Sequence, residues 1–269
     1  MSMISRILAA LTLFAVAATA RGADIDADGF ERILVPLAIM THLVPRAHGT
    51  QWTGNIWLDN QADTTVGLSG IRGCNFPGCG LYQPGHVGAL NNGPLTDRPE
   101  VGLVLMTNAA TASRLTLSSR LWETSRAGQP RGIDLPIVRE GSFFHDRKTF
   151  LAIPIDAGVR ASLRIYNPWA ADPGSSVVGA REVDVQILSA TGQTLVSTRL
   201  YPVIVGGPID RSDYPGFAAI HDLLAAFPQL GGHENVHVRV APVVPDAQYY
   251  AMVAVTDNVT QTVSIITAQ

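Results

Sequence analysis

Apolar and polar residues alternate along most of this chain, and a period of two is what an extended strand needs to put one set of side chains in a core and the other in water. The runs are RILVPLAI (32 to 39), WTGNIWLDN (52 to 60), VGLVLMTN (101 to 108), SRLTLSSRLW (113 to 122), TFLAIPI (149 to 155), ASLRIYN (161 to 167), REVDVQIL (181 to 188), TLVSTRLY (194 to 201), NVHVRVA (235 to 241), YYAMVAVTDN (249 to 258) and TVSII (262 to 266). Gly, Pro, Asn and Asp turns such as SATGQ and PVVPDAQ separate them. Many short strands at this spacing, with almost no helical pattern between them, predict an all-β fold of packed antiparallel sheets rather than a parallel sheet. One segment departs from the pattern. In FAAIHDLLAAF (217 to 227), Ile220, Leu223, Leu224 and Phe227 fall at i, i+3, i+4 and i+7, which predicts a short amphipathic helix with His221 and Asp222 as surface polar residues beside its apolar stripe.

The pattern also repeats. RILVPLAI has a counterpart in RGIDLPIV (131 to 138), and each is followed by a Gly-led strand ending in Asn, GTQWTGNIWLDN and GVRASLRIYN. We therefore expect one sandwich built twice, immunoglobulin-like in type, over residues 24–126 and 127–269, with the join in RAGQPRG (126 to 132) and the short helix in the second copy. The order of a strand with an internal Pro, then G-x-x-W leading a strand that ends in Asn, then a late A-x-T-D-N strand, resembles uncharacterised secreted bacterial proteins with tandem immunoglobulin-like β-sandwich domains. The matching residues are Gly49, Trp52 and Asn60, and Ala254, Thr256, Asp257 and Asn258. The resemblance implies a fold and a location and brings no catalytic residues with it.

The location also follows from the first twenty residues. MSMISRILAALTLFAVAATA carries one positive charge, Arg6, then an apolar run and small residues up to Ala20, the layout of a secretory signal peptide cleaved near Ala20. The run is short of the ~20 residues that span a bilayer, so the mature chain is expected outside the cytoplasm, periplasmic or extracellular, with no transmembrane segment. A formal charge of −3 and no basic run argue against nucleic acid as a partner. In an oxidising compartment, Cys74 and Cys79 in GCNFPGCG are expected to close a small disulfide ring around a tight turn.

Two strings invite a metal. HENVH, with His233, Glu234 and His237, spells the zinc-peptidase signature, in which two imidazoles one helical turn apart hold zinc and the Glu acts on the attacking water. Gly231 and Gly232 precede it and Val236, Val238 and Val240 alternate after it, so the sequence predicts a turn entering a strand. DIDADG, with Asp24, Asp26 and Asp28, opens like a calcium loop, but its twelfth position is Val35 rather than a bidentate Glu. The expectation is no metal and no cofactor, with zinc at His233 and His237 and calcium at the three aspartates as the alternatives.

No nucleophile elbow, phosphate loop or dinucleotide fingerprint occurs in the sequence. Parity offers one surface feature instead. If Trp52, Ile56 and Leu58 face a core, then Trp57 stands outward with Asn55 and Asp59, a grouping able to stack on and hydrogen-bond a sugar ring. The expectation is a secreted, non-enzymatic protein acting through surface binding to a protein or glycan partner, in adhesion, envelope association or as a binding module. A zinc hydrolase using HENVH, a carbohydrate-binding module and a strand-lending periplasmic chaperone are the competing readings.

Overall fold

The computed structural model describes residues 29–37, 44–45, 51–70, 79–90, 101–124, 131–171, 177–204 and 214–269. The fold is all-β: among the described residues the strands form four antiparallel sheets, with two α-helices of a single turn each. In chain order the strands are β1 (Phe30–Val35), β2 (Val44–Pro45), β3 (Gln51–Asn60), β4 (Val66–Gly70), β5 (Gly80–Tyr82), β6 (Val87–Ala89), β7 (Leu103–Asn108), β8 (Leu115–Glu123), β9 (Arg131–Leu135) and β10 (Val138–Arg139). They continue with β11 (Lys148–Pro154), β12 (Val159–Asn167), β13 (Val183–Ser189), β14 (Thr194–Leu200), β15 (Gly216–Ile220), β16 (Asn235–Pro242), β17 (Tyr250–Asp257) and β18 (Val263–Ile266). No helix among the described residues is long and apolar enough to cross a membrane.

Sheet I has the order β10-β1-β7-β4-β5 and sheet II the order β2-β3-β8-β9, with β6 also paired to β3. Alternation drives the inner side chains of both into one core, Ile33, Leu68 and Leu105 from sheet I against Ile56, Leu58 and Leu115 from sheet II. Sheet III (β11-β16-β13-β14) and sheet IV (β15-β12-β17-β18) enclose a second core, in which Phe150, Val185 and Val238 meet Leu163, Ile165 and Val253.

The two halves share one strand order. The run β1-β7-β4-β5 of sheet I matches β11-β16-β13-β14 of sheet III, and β6-β3-β8-β9 around sheet II matches β15-β12-β17-β18 of sheet IV. The Asn that ends the second long strand of each half serves the same purpose. Asn60 Oδ1 accepts from Ala62 N–H at 2.9 Å and Asn167 Oδ1 from Trp169 N–H at 3.1 Å, each closing the chain into a turn two residues on.

The sequence register of the repeat needs correcting, however. RGIDLPIV does not open the second half: β9 pairs with β8 and takes the place that β18 holds in the second half, and β10 pairs with β1. Sheet membership changes between Arg139 and Lys148, later in the chain than RAGQPRG. Arg139 fastens this crossing, donating from Nε and Nη2 to the Glu31 carboxylate at 2.6 Å each, from Nη1 to the Leu115 carbonyl and from Nη2 to that of Ala112.

FAAIHDLLAAF also folds differently from its helical pattern. Its first residues form β15 on the edge of sheet IV, and only Leu223–Ala226 is helical. Asp222 sets the change, its carboxylate accepting from Leu224 N–H at 3.0 Å and Ala225 N–H at 3.2 Å as an N-cap.

The halves touch through the outer face of sheet IV. Tyr166, Tyr250 and Met252 pack with Leu34, Val104 and Val138 of the first half, and with Phe143 and Trp169. Tyr166 Oη donates to the Pro36 carbonyl at 2.5 Å, and the Arg32 guanidinium lies 4.8 Å from the Trp169 ring.

Candidate functional site

Trp57 lies on β3 with Ile56 and Leu58 to either side, and these two are almost fully buried in the first core. The indole is therefore turned outward, and 44% of Trp57 is exposed. Its cross-strand neighbours are Ala89 on β6 and Ser118 on β8, both too small to cover a ring. Asn55 and Asp59 share the outward parity, opposite Arg120 and Thr116 respectively. Asp59 Oδ2 accepts from Gln61 Nε2 at 2.8 Å, and Arg120 Nε stands 3.6 Å from Asp134 Oδ1 on β9 with both side chains exposed.

The three residues picked from parity are thus brought onto one face, where an aromatic platform is surrounded by carboxylate, amide, hydroxyl and guanidinium groups. Thr116, Ser118 and Arg120 were not picked out from the sequence. They sit at alternate positions of SRLTLSSRLW, and the pairing of β8 with β3 is what carries them beside Trp57.

HENVH has no helix beneath it. Pro228–Leu230 is a single 3-10 turn, Gly231 and Gly232 form a turn, and Asn235 begins β16. The one-turn helical spacing that the zinc alternative at His233 and His237 requires is absent. His233 N–H donates to the Leu230 carbonyl at 3.2 Å, and Glu234 is exposed while its carbonyl accepts from Ile155 N–H at 3.0 Å. His237 supports the backbone instead. Its Nδ1 accepts from Ala152 N–H at 3.0 Å, where β11 bulges against β16 and Ala152 takes a φ of 53°. Among the described residues no three His, Cys, Asp or Glu side chains gather as metal ligands.

Asp24, Asp26 and Asp28 lie outside the described residues, as does the segment read as a signal peptide. Cys79 packs half-buried against the first core, and Cys74 also lies outside the described residues. No family model, curated protein or solved structure matches this chain.

Proposed function

We propose that this is an exported, non-enzymatic binding protein of the tandem immunoglobulin-like kind, presenting the outer face of sheet II to a glycan. The observation that carries the reading is the exposed indole of Trp57 between Ala89 and Ser118, with Asn55, Asp59, Thr116 and Arg120 around it. A sugar ring offers an apolar face to stack on an aromatic ring and hydroxyls to hydrogen-bond at its rim, which is the combination of groups gathered here.

The immunoglobulin-like grouping draws support from each half. Leaving out the short β2 and β10, the second and fifth strands pair, as do the third and sixth (β3 with β6 and β4 with β7; β12 with β15 and β13 with β16), the neighbours found at the centre of that sandwich. Export is supported by the N-terminal charge and apolar pattern, and it places Cys74 and Cys79 where a disulfide ring persists.

Affinity electrophoresis of the purified mature chain through gels containing cell-wall and extracellular polysaccharides tests the proposal. Retardation by at least one polysaccharide that disappears in Trp57→Ala, with the polysaccharide recovered intact, is the expected result. Retardation unchanged in Trp57→Ala, or cleavage of the polysaccharide, would overturn it.

A further inference from the structure

On the other side of sheet II from Trp57, the two halves enclose a cleft of about 300 Å³. Sheet II overhangs the first core, so Trp52, Leu121, Ile133 and Leu135 at its far end, although on the inner face, look across at the second half. The facing wall is the outer surface of sheet IV, with Ile265 and Val263 from β18 and the alternating side chains Arg160, Ser162 and Arg164 from β12. The cleft is apolar along its length and basic on one wall, and none of its lining residues is acidic.

The two arginines differ. Arg164 has its guanidinium 5.9 Å from the ring of Phe217. Arg160 is half-buried and forms no hydrogen bond or ion pair with any described residue, its strand partner being Thr256. A guanidinium beside apolar surface, with no partner among the described residues, offers a planar fork that fits one carboxylate in bidentate fashion. Residues four apart on a strand are separated by ~13 Å, so Arg160 and Arg164 do not converge as a phosphate clamp would.

We propose that this cleft is a binding site for a small amphipathic carboxylate, its apolar body lying between sheets II and IV and its carboxylate on Arg160. The volume is at the lower end of the ~300–1,000 Å³ usual for small-molecule sites, and interfaces between packed units are a common place for them. The site is separate from the Trp57 face, and its ligand is independent of any glycan bound there.

Calorimetric titration of the full mature chain with octanoate, octan-1-ol and octylammonium tests the assignment, because the three share one tail and differ in head charge. Saturable octanoate binding is expected, with octylammonium at least ten-fold weaker and octanol between them. Arg160→Gln should weaken octanoate about ten-fold or more, and Ile133→Ser should weaken octanoate and octanol alike by shortening the apolar wall. Arg199→Gln, in an exposed ion pair with Asp184 and Glu182 on sheet III and its flank, should leave octanoate binding unchanged. If octanoate fails to bind, if octylammonium binds as well, or if Arg160→Gln binds octanoate like the native chain, the proposal is wrong.

Discussion

Sheets II and IV are one strand arrangement built twice, and their outer faces have opposite fates. With Asn60 and Asn167 as the common reference, Trp57 and Asp59 of β3 occupy the positions of Arg164 and Tyr166 of β12, and Thr116 of β8 that of Tyr250 of β17. In sheet IV the two tyrosines are buried under the first half. In sheet II the same positions hold Asp59 and Thr116, whose polar groups favour water, and the indole beside them is left open. Topology fixes where each side chain points. The identity of two or three outward residues then decides whether the face docks against protein or stays available to a ligand.

The most damaging way to disturb this contrast is to empty the docked face. Tyr166 is fully buried, rings Phe217 and Tyr250 lie 5.3 Å and 6.4 Å away, and its hydroxyl is bonded to Pro36. Tyr166→Ala should lower stability by about 3–5 kcal/mol, measured as a drop in the urea midpoint. An effect under about 1 kcal/mol would mean that the halves are not held together here.

Alkali should attack the same region. Burial, reinforced by neighbouring Tyr166, raises the Tyr250 phenol well above its ordinary value near 10, and burial with the Asp146 charge does the same for Tyr249, whose hydroxyl donates to the carbonyls of Asp146 and Val240. Above pH 10 the unfolded chain has released protons that the folded chain keeps, so stability falls as pH rises. Each group steepens that fall by about 1.4 kcal/mol per pH unit. Urea midpoints between pH 8 and 11.5 should be flat and then decline, and Tyr250→Phe should make the decline shallower. A decline that Tyr250→Phe leaves unaltered would place the titrating groups elsewhere.

Most of the contrast was legible in the sequence, because alternation states which residues share a face without stating what covers it. Each long run contributes a strand among the described residues, and the exposed Trp57 stands on the face opposite the buried Ile56 and Leu58. Short pieces such as GLY of β5 and VGA of β6 carry too few side chains for a period to show, and they form because β4 and β3 offer them edges. FAAIHDLLAAF misled because Ile220, Leu223, Leu224 and Phe227 fit a helical period, while the edge of β12 captures the first half of the segment, the Asp222 cap starts the helix only at Leu223, and Pro228 ends it after Ala226. The repeat was visible in the strands ending at Asn60 and Asn167 but mis-registered at RGIDLPIV, whose apolar pattern suits a first strand and a last strand equally. The cleft was not legible, since Arg160 and Ile133 come together only when the two halves dock.

The shared asparagine allows the repeat itself to be tested. Asn60 is fully buried, and its Nδ2 donates to the carbonyls of Thr64, Tyr82 and Gln83 at 3.1, 2.8 and 3.0 Å. Asn60→Ala should cost about 1–3 kcal/mol by leaving carbonyls and the Ala62 N–H without their partner. Asn167→Ala should act in the same direction through the Trp169 N–H. Thermal denaturation of both variants that finds only one of them destabilised would show that the corner is a feature of one half.

The smallest expected effect is the most diagnostic. If the outer face of sheet II is kept open for a ligand, Trp57 contributes little to folding, because 44% of it is exposed and its neighbours Ala89 and Ser118 give it few contacts. Trp57→Ala should then shift stability by no more than about 0.5 kcal/mol, roughly a tenth of the Tyr166→Ala loss at the neighbouring outward position of the equivalent strand. A shift of about 2 kcal/mol or more, a cost of the kind a buried side chain carries, would mean that protein covers the indole. The outer face of sheet II would then be an interface like that of sheet IV, and the glycan proposal would fail with it.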